Sequence, residues 1–396
     1  MLLFGLLYTQ SLFSQNNGLV DYFSLDSCNV NESQGRVKAS SVGNLKCSCG
    51  IVGKSLEFNG GLNYAEWDST ILNNYLSGDF SISFYFKPEK ATGNVDIFSK
   101  RTKCGIDSFF AIKYIADQNA IAVEYVGKVD NVGSLNAPLP ANYCWFNIVF
   151  TKAGNKLTLY VNGAEKDSKT NNYVITVSNK GKLALANSPC LAVSDIRYKG
   201  AIDEIKIYNR ALSYTEVKAA YIPTDKMITK DTVLLKGSSV STRIFPTCAT
   251  TFQWIPISGV KDPAQPFTTL SPAVTTTYTL QSTQGNCIMK DSIKVVVLDA
   301  ASLDCDAVAV PNAFTPNNDG LNDIFRISNP YVLTAMQSFD VFDRWGERVF
   351  STNDPKNGWD GIYKNQPLNP GIFVYRIKYN CKGGSKIKSG SFALIR

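Results

Sequence analysis

The chain of 396 residues is long enough for two or three domains, each with its own core. It has no histidine, which removes the commonest general base and metal ligand and so excludes Ser-His-Asp, Cys-His and His-zinc chemistry. The formal charge of +7, from 40 Lys and Arg against 33 Asp and Glu, is modest, and acids interleave with bases through most of the chain. Aromatic residues at 12%, with recurring Thr and Val and short apolar runs broken by Gly, Asn and Ser, favour an all-β architecture. Ten cysteines read as up to five disulfides made in an oxidising compartment. The zinc alternative lacks any Cys-x-x-Cys pair, and Cys47-Ser48-Cys49 is too tight to hold one tetrahedral site.

Residues 1–15 carry the apolar run Leu2-Leu3-Phe4-Gly5-Leu6-Leu7, and polar Ser14-Gln15-Asn16-Asn17 follows. This is the pattern of a signal peptide cut near Ser14 or Gln15. No Lys or Arg precedes the run, which leaves the true translation start open. No later stretch reaches ~20 apolar residues, so no transmembrane anchor is expected in the mature chain. Residues 18–222 read as one large β domain. Phe80, Ile82, Phe84 and Phe86 alternate onto one face, and Lys156 to Val161 alternates into Asn162-Gly163, a type I′ hairpin signal. Ala201 to Leu212 closes the segment, and Ser213-Tyr214-Thr215-Glu216 predicts a capped helix. Residues 224–299 form a smaller unit of short strands around Thr232-Val233-Leu234-Leu235, Phe252-Gln253-Trp254, Thr276 to Leu280 and Ile293 to Val297, with linkers on either side. Residues 305–396 make a third unit. After Asp360 it holds no acid, while Lys364, Arg376, Lys378, Lys382, Lys386, Lys388 and Arg396 remain. In an exported chain that tail faces anionic polysaccharide or the secretion machinery, or simply places lysines on strand edges. No nucleic-acid partner is expected.

Three resemblances refine this division. Ser55-Leu56-Glu57-Phe58-Asn59-Gly60, Asp79 to Ser83, Leu159-Tyr160-Val161-Asn162-Gly163 and the closing Gly200 to Leu212 stretch resemble the laminin-G-like, concanavalin-A-like jelly roll of bacterial surface proteins. Trp145-Phe146 stands where such domains usually carry Trp-His. Cys248 and Cys287 flank Trp254, which resembles an immunoglobulin-like sandwich and implies a spacer module whose two sheets are bridged by Cys248–Cys287, with Trp254 packed on the bridge. Val310-Pro311-Asn312-Ala313-Phe314-Thr315-Pro316-Asn317 to Phe325, Val341-Phe342-Asp343-Arg344-Trp345-Gly346, Gly358-Trp359-Asp360-Gly361 and Gly371 to Tyr375 resemble the gliding-motility-associated C-terminal domain of Bacteroidota, the type B sorting domain of type IX secretion. That resemblance implies passage through the periplasm and delivery to the cell surface or medium, with the type IX machinery as partner. Cys305–Cys381 is expected to tie the start of this domain to its penultimate strand. Phe342, Trp345, Trp359, Phe373 and Tyr375 are expected to be core or inter-strand residues. Cys104–Cys144 is expected within the jelly roll, leaving Cys28, Cys47, Cys49 and Cys190 for two bridges among three connectivities.

Catalysis finds little support. A retaining glycosidase needs two carboxylates ~5 Å apart, whereas Asp203 and Glu204 are neighbours that alternate to opposite faces. Asp203 is predicted on the face of Ile205 and Ile207, where an unpaired carboxylate is costly. A structural Ca²⁺ or a buried hydrogen-bond network would resolve this, and in laminin-G-like relatives an acid here joins the N-terminal strand, where Asp21 would contribute. The Asn317 to Asp323 run resembles oxygen-rich Ca²⁺ loops, with Asn317, Asp319 and Asp323 as ligands, and a network of Asx turns explains it equally. No cofactor is required. The expected protein is an all-β, non-enzymatic surface or secreted binding protein whose jelly roll recognises a glycan or protein ligand. A structural matrix component without a ligand is the alternative, and a polysaccharide hydrolase or lyase ranks last.

Overall fold

The computed structural model describes residues 17–31, 39–67, 75–89, 92–128, 131–141, 143–299, 302–317, 321–333 and 335–396. The signal peptide predicted over residues 1–15 lies outside the described residues. The chain begins with β1 (Leu19–Phe23), β2 (Ala39–Val42), β3 (Lys46–Cys49), β4 (Lys54–Asn59) and β5 (Tyr64–Trp67). Next come β6 (Phe80–Pro88), β7 (Asn94–Lys100), β8 (Phe109–Ile115), β9 (Ala120–Lys128) and β10 (Asn131–Pro138). The jelly roll finishes with β11 (Phe146–Ala153), β12 (Lys156–Val161), β13 (Ala164–Thr170), β14 (Leu183–Leu185) and β15 (Lys199–Tyr208). One sheet runs β13-β12-β11-β6-β15-β4-β3, with β1 also on β15, and its partner runs β10-β9-β8-β7-β14-β5-β2.

Alternation along β6 is what buries one face of the first sheet. Phe80, Ile82, Phe84 and Phe86 all join the core between the sheets. From the opposite sheet, Phe98 meets Phe84 edge-on at 4.9 Å between ring centres, and Phe110 meets Phe80 at 5.8 Å. Asn162 and Gly163 take φ of 52° and 75° between β12 and β13, as a type I′ turn requires. After β15, α1 (Tyr214–Ala220) starts with a capping box: the Glu216 N–H donates to Ser213 Oγ, and the Ser213 N–H donates to Glu216 Oε2 at 2.8 Å. Arg210 donates two further bonds of 2.7 and 3.0 Å to Glu216 and holds its carboxyl down to about 2.

The smaller unit contains β16 (Thr232–Leu235), β17 (Val240–Ser241), β18 (Thr251–Ile255), β19 (Thr269–Leu270), β20 (Thr276–Gln284) and β21 (Cys287–Leu298). Its main sheet runs β16-β21-β20-β18, with β17 and β19 paired separately. Trp254 is buried against Tyr278, with its indole N–H donating to the Gln265 carbonyl at 2.8 Å. The Cys248–Cys287 bridge expected beneath it does not form. Cys287 opens β21 opposite Gln284, and Cys248 lies just ahead of β18, whose Thr251 pairs with Thr283. Both cysteines therefore sit at one end of the module, and each reaches outward into the jelly roll: Cys248 bonds Cys49, and Cys287 bonds Cys144.

The other bridges follow from strand adjacency. Cys104 pairs with Cys190, correcting the expected Cys104–Cys144, because the segment after β14 folds back along the end of β7, where Ser188 Oγ lies 3.3 Å from Ser99 Oγ and Cys190 Sγ lies 3.4 Å from Arg101 Nη1. Cys144 precedes β11 in the other sheet. Cys28 bonds Cys47, so the four cysteines reserved for two local bridges supply one local bridge and two long-range partners, Cys49 and Cys190. A cluster of Ile51, Tyr85, Trp145, Ala201 and Met289 fills the junction between jelly roll and module, and the Tyr85 hydroxyl accepts the Ile222 N–H at 2.7 Å. The module, expected as a spacer, is thus fastened to the jelly roll by two bridges and an apolar junction.

The C-terminal unit contains β22 (Ala313–Phe314), β23 (Phe325–Arg326), β24 (Met336–Phe342), β25 (Arg348–Thr352) and β26 (Gly358–Trp359). It continues with β27 (Ile362–Tyr363), β28 (Gln366–Pro367), β29 (Gly371–Cys381) and β30 (Gly384–Leu394). A five-stranded sheet, β22-β30-β29-β24-β25, is accompanied by the short pairs β23–β26 and β27–β28, and Phe314, Phe325, Phe339, Trp359, Phe373 and Phe392 pack together in its core. Cys305 bonds Cys381, and Lys382 bridges both Asp304 and Asp306, so part of the basic tail is neutralised by acids at the start of the unit.

Non-reducing peptide mapping should recover Cys49–Cys248 and Cys144–Cys287. Replacing Cys49 and Cys248 together by Ser should cost ~2–5 kcal/mol of unfolding free energy. Recovery of Cys248 joined to Cys287 would contradict the clamp.

Candidate functional site

Between the fastened module and the end of the jelly roll lies a cavity of about 700 Å³. Three chain regions meet there. The end of β6 and the start of β15 contribute Lys87, Glu89 and Lys199, with Lys199 Nζ 2.8 Å from Glu89 Oε2. The second region is aromatic: Tyr114 of β8 and, just before and on β11, Tyr143 and Phe146. The turn between β20 and β21 closes the third side with Gln284, Gly285 and Asn286, anchored by the Cys144–Cys287 bridge. Gly285 has φ +57° in open space at the tip of this turn.

Each wall is held in place. The Tyr114 hydroxyl donates to Asn119 Oδ1 at 3.2 Å, and the Asn119 carbonyl accepts the Leu139 N–H at 2.8 Å. Tyr143 lies 6.3 Å from Phe146 between ring centres and carries Lys226 Nζ over its face at 4.7 Å. Burial pushes the Tyr143 hydroxyl above its usual value, with Asp291 adding to the effect. Burial likewise lowers the Lys87 ammonium, opposed by Glu89. The cavity has aromatic faces, amide groups and one ion pair. Among the described residues its lining holds one carboxylate, Glu89.

Of these groove residues the sequence singled out only Phe146, as a family position, and Cys144 and Cys287, as disulfide candidates with other partners; none was expected to line a binding site. The aromatic–cysteine–aromatic run Tyr143-Cys144-Trp145 was the available signal, but its meaning depends on which cysteine Cys144 finds.

Asp203 occupies a different place from the one predicted. The register of β15 against β6 shifts between Asp203 and Lys206, and Glu204 takes φ +53°. This bulge reverses the parity of the strand. Ile202, Ile205 and Ile207 enter the jelly-roll core, while Asp203 shares the outer face with Ala201 and Tyr85. Its Oδ2 accepts the Ile51 N–H at 2.7 Å and the Val52 N–H at 3.4 Å, and its Oδ1 accepts the Glu204 N–H at 2.9 Å. A Cβ on Gly50 would lie 2.5 Å from Asp203 Oδ2, so only glycine allows the turn to approach so closely. That turn follows directly on Cys49, one of the two anchors of the module. Glu204 accepts the Tyr22 hydroxyl at 2.6 Å and pairs with Lys206 at 2.8 Å.

Asp21, paired with Ile207, stands four residues along β15 from Asp203, roughly 13 Å of strand, so the register does not bring the two acids together. In the C-terminal loop, Asp323 Oδ1 accepts the Asn317 N–H at 3.0 Å, and Asp319 lies outside the described residues. Among the described residues no three Cys, Asp or Glu side chains gather as a metal site. Of the five aromatic residues expected to pack in this unit, Trp359, Phe373 and Tyr375 are buried and Phe342 is half-buried, whereas Trp345 is exposed at a hairpin turn.

Burial, and then the charge of Glu204, push the Asp203 carboxyl up to about 8. A raised folded-state value means that the folded chain holds this proton more tightly. The stability it confers is full below the unfolded value near 4 and is lost as pH rises through about 8. Melting temperature should therefore fall between pH 5 and 9, and the fall should be shallower in Asp203→Asn. Parallel curves for the two proteins would rule this linkage out.

Residues 59–218 match the concanavalin A-like lectin/glucanases superfamily, and residues 308–394 match the CHU_C type IX secretion signal domain. No curated protein matches the chain. Among solved structures, domain 4 of AbnA, a GH43 extracellular arabinanase from Geobacillus stearothermophilus in complex with arabinotriose, is 22% identical. That comparison covers 50% of this chain and 96% of the arabinanase domain, with a TM-score of 0.41. The receptor binding domain of botulinum neurotoxin D is 12% identical over 69% of this chain and 75% of its own, with a TM-score of 0.43. The CBM40 of Ruminococcus gnavus IT-sialidase is 13% identical over 42% and 96%, with a TM-score of 0.36. No helix among the described residues is long and apolar enough to cross a membrane. The chain joins a concanavalin A-like domain to a type IX secretion signal domain, which marks it for export to the cell surface or the medium.

Proposed function

We propose that the exported protein is a non-catalytic glycan-binding protein, and that the groove between jelly roll and module holds the saccharide. The observation that carries this reading is the lining of the 700 Å³ cavity, where Tyr114, Tyr143 and Phe146 lie beside Lys87, Glu89, Asn119 and Asn286. Aromatic faces suit the apolar C–H faces of a sugar ring, and amide and charged groups suit its hydroxyls. A mostly preformed pocket with a few convergent polar groups is the usual form of a small-ligand site. The superfamily match over residues 59–218 is consistent with this chemistry. The secretion signal delivers the groove to where extracellular polysaccharide is found.

The test is a glycan array probed with the full mature chain, followed by titration of any hit against Tyr143→Ala and Asn286→Ala. Each substitution should weaken binding by about tenfold with folding retained, as loss of a contact residue near the centre of a site does. Binding that both variants preserve would place the ligand elsewhere on the jelly roll. A blank array would favour a structural role in the surface matrix. The export half of the reading is tested separately: residues 305–396, fused behind a signal peptide to an inert reporter, should carry it out of the periplasm in a strain that has the type IX system, and leave it there when that system is deleted.

A further inference from the structure

Trp345 is 85% exposed, while Trp67, Trp145, Trp254 and Trp359 are each 3% exposed or less. It stands at the tip of the turn between β24 and β25, and that turn is rigidly built. Asp343 Oδ1 accepts the N–H groups of Trp345 at 2.8 Å and Glu347 at 2.9 Å. The Asp343 N–H donates to the Glu347 carbonyl at 2.9 Å, and Gly346, at φ +83°, donates to the Asp343 carbonyl at 3.1 Å. Glu347 in turn accepts the Tyr363 hydroxyl at 2.7 Å and Lys364 Nζ at 3.2 Å, bracing the turn against β27 and the turn after it. A large apolar side chain held out on a preorganised turn loses little entropy when a partner covers it.

Its surroundings describe that partner. Val374, opposite Phe342 at the end of β24, is 44% exposed, and Ile372 beside it is 63% exposed. Arg344 Nη2 lies 3.7 Å from where a Cβ on Gly371 would sit, so the guanidinium reaches the start of β29 beside the tip, at a residue that alternates to the face opposite Ile372 and Val374. The nearby acids are committed within the domain. Asp343 caps the turn, Glu347 is tied to Tyr363 and Lys364, and Asp340 is buried between Ser338, Ser351, Arg348 and Arg376. What the turn presents is the Trp345 ring with Arg344 next to it, while Glu347 is engaged by Tyr363 and Lys364. The tip also lies at the Gly371 end of β29, whereas the Cys305–Cys381 bridge and the chain entering from the cargo lie at the Cys381 end. Eleven residues of strand separate the two ends by roughly 35 Å, so the tip lies far from the point where the chain enters the unit.

We propose that Trp345, with Arg344, is the contact through which a protein component of the type IX export machinery reads this domain, using an apolar pocket with an acidic rim. A secretion signal must be recognised by a protein, and exposed Trp and Arg are the residue types that most often dominate such interfaces.

The full chain is expressed in a strain with the export system, and the surface-plus-medium fraction is measured against the periplasmic fraction. Trp345→Ala should lower the exported fraction at least tenfold, with the melting temperature of the purified protein unchanged. Trp345→Phe should restore most of it. Ile387→Ala, at a residue 63% exposed elsewhere on the same sheet, should export like the parent. Parental export of Trp345→Ala overturns the proposal. So does full export with loss of surface attachment, which would mark Trp345 as a polysaccharide contact, and so does equal retention of Ile387→Ala. If Trp345→Ala melts early, Arg344→Glu decides: a folded Arg344→Glu chain retained in the periplasm supports the acidic-rimmed receptor, and one exported like the parent overturns it.

Discussion

The groove of this protein depends on two disulfides that cross from one folded unit to another. Cys49–Cys248 and Cys144–Cys287 link residues 199 and 143 positions apart in the chain, and all four cysteines lie at the junction of jelly roll and module. A single bridge would leave the module free to pivot. Two bridges, at separate points on its base, remove that freedom and hold the β20–β21 turn over the edge of the jelly roll. The junction cluster of Ile51, Tyr85, Trp145 and Met289 adds apolar contact between the anchors. Concave space of useful size arises here because two convex bodies are pressed together along one edge.

Asp203 serves the same end from within the jelly roll. A carboxylate that shared the core face with Ile205 and Ile207 would need a partner of opposite charge. The bulge at Glu204 moves it to the other face, where three backbone N–H groups satisfy it. Two of those donors belong to the turn after Cys49, so the acid orders the segment that carries an anchor of the clamp. Burial, and then the charge of Glu204, oppose those bonds and push the Asp203 carboxyl up.

The C-terminal unit follows a different logic. It has its own aromatic core and its own bridge, Cys305–Cys381, and among the described disulfides none joins it to the rest. Cargo and signal are thus covalently closed within themselves and joined by a short segment. This arrangement suits a signal that is read independently of what it carries. One aromatic residue in this unit, Trp345, stays outside the core, on a turn whose hydrogen bonds come from the backbone and Asp343 and do not involve its ring.

The sequence alone determined whatever depends on neighbours along the chain. Period-two alternation placed Phe80, Ile82, Phe84 and Phe86 on one buried face, Asn162-Gly163 made its hairpin, and Ser213 with Glu216 capped a helix, because each is a local consequence of backbone geometry. Motif order was enough to mark the lectin-like and secretion-signal segments. Long-range pairing was legible only within the C-terminal unit. Cys305–Cys381 came with the motifs of the C-terminal unit, but the other eight cysteines did not announce their partners, so the groove, whose walls come from β6, β8, β11, β15 and the β20–β21 turn, could not be assembled from the sequence. The bulge at Glu204 was hidden for a related reason: a single left-handed residue inverts the parity of every position beyond it, and only cross-strand register records that. Trp345 lay between the two cases. Gly346 beside it signalled a turn, but whether a tryptophan at a turn folds inward or stands free depends on what the rest of the sheet leaves room for, and that only the tertiary packing decided.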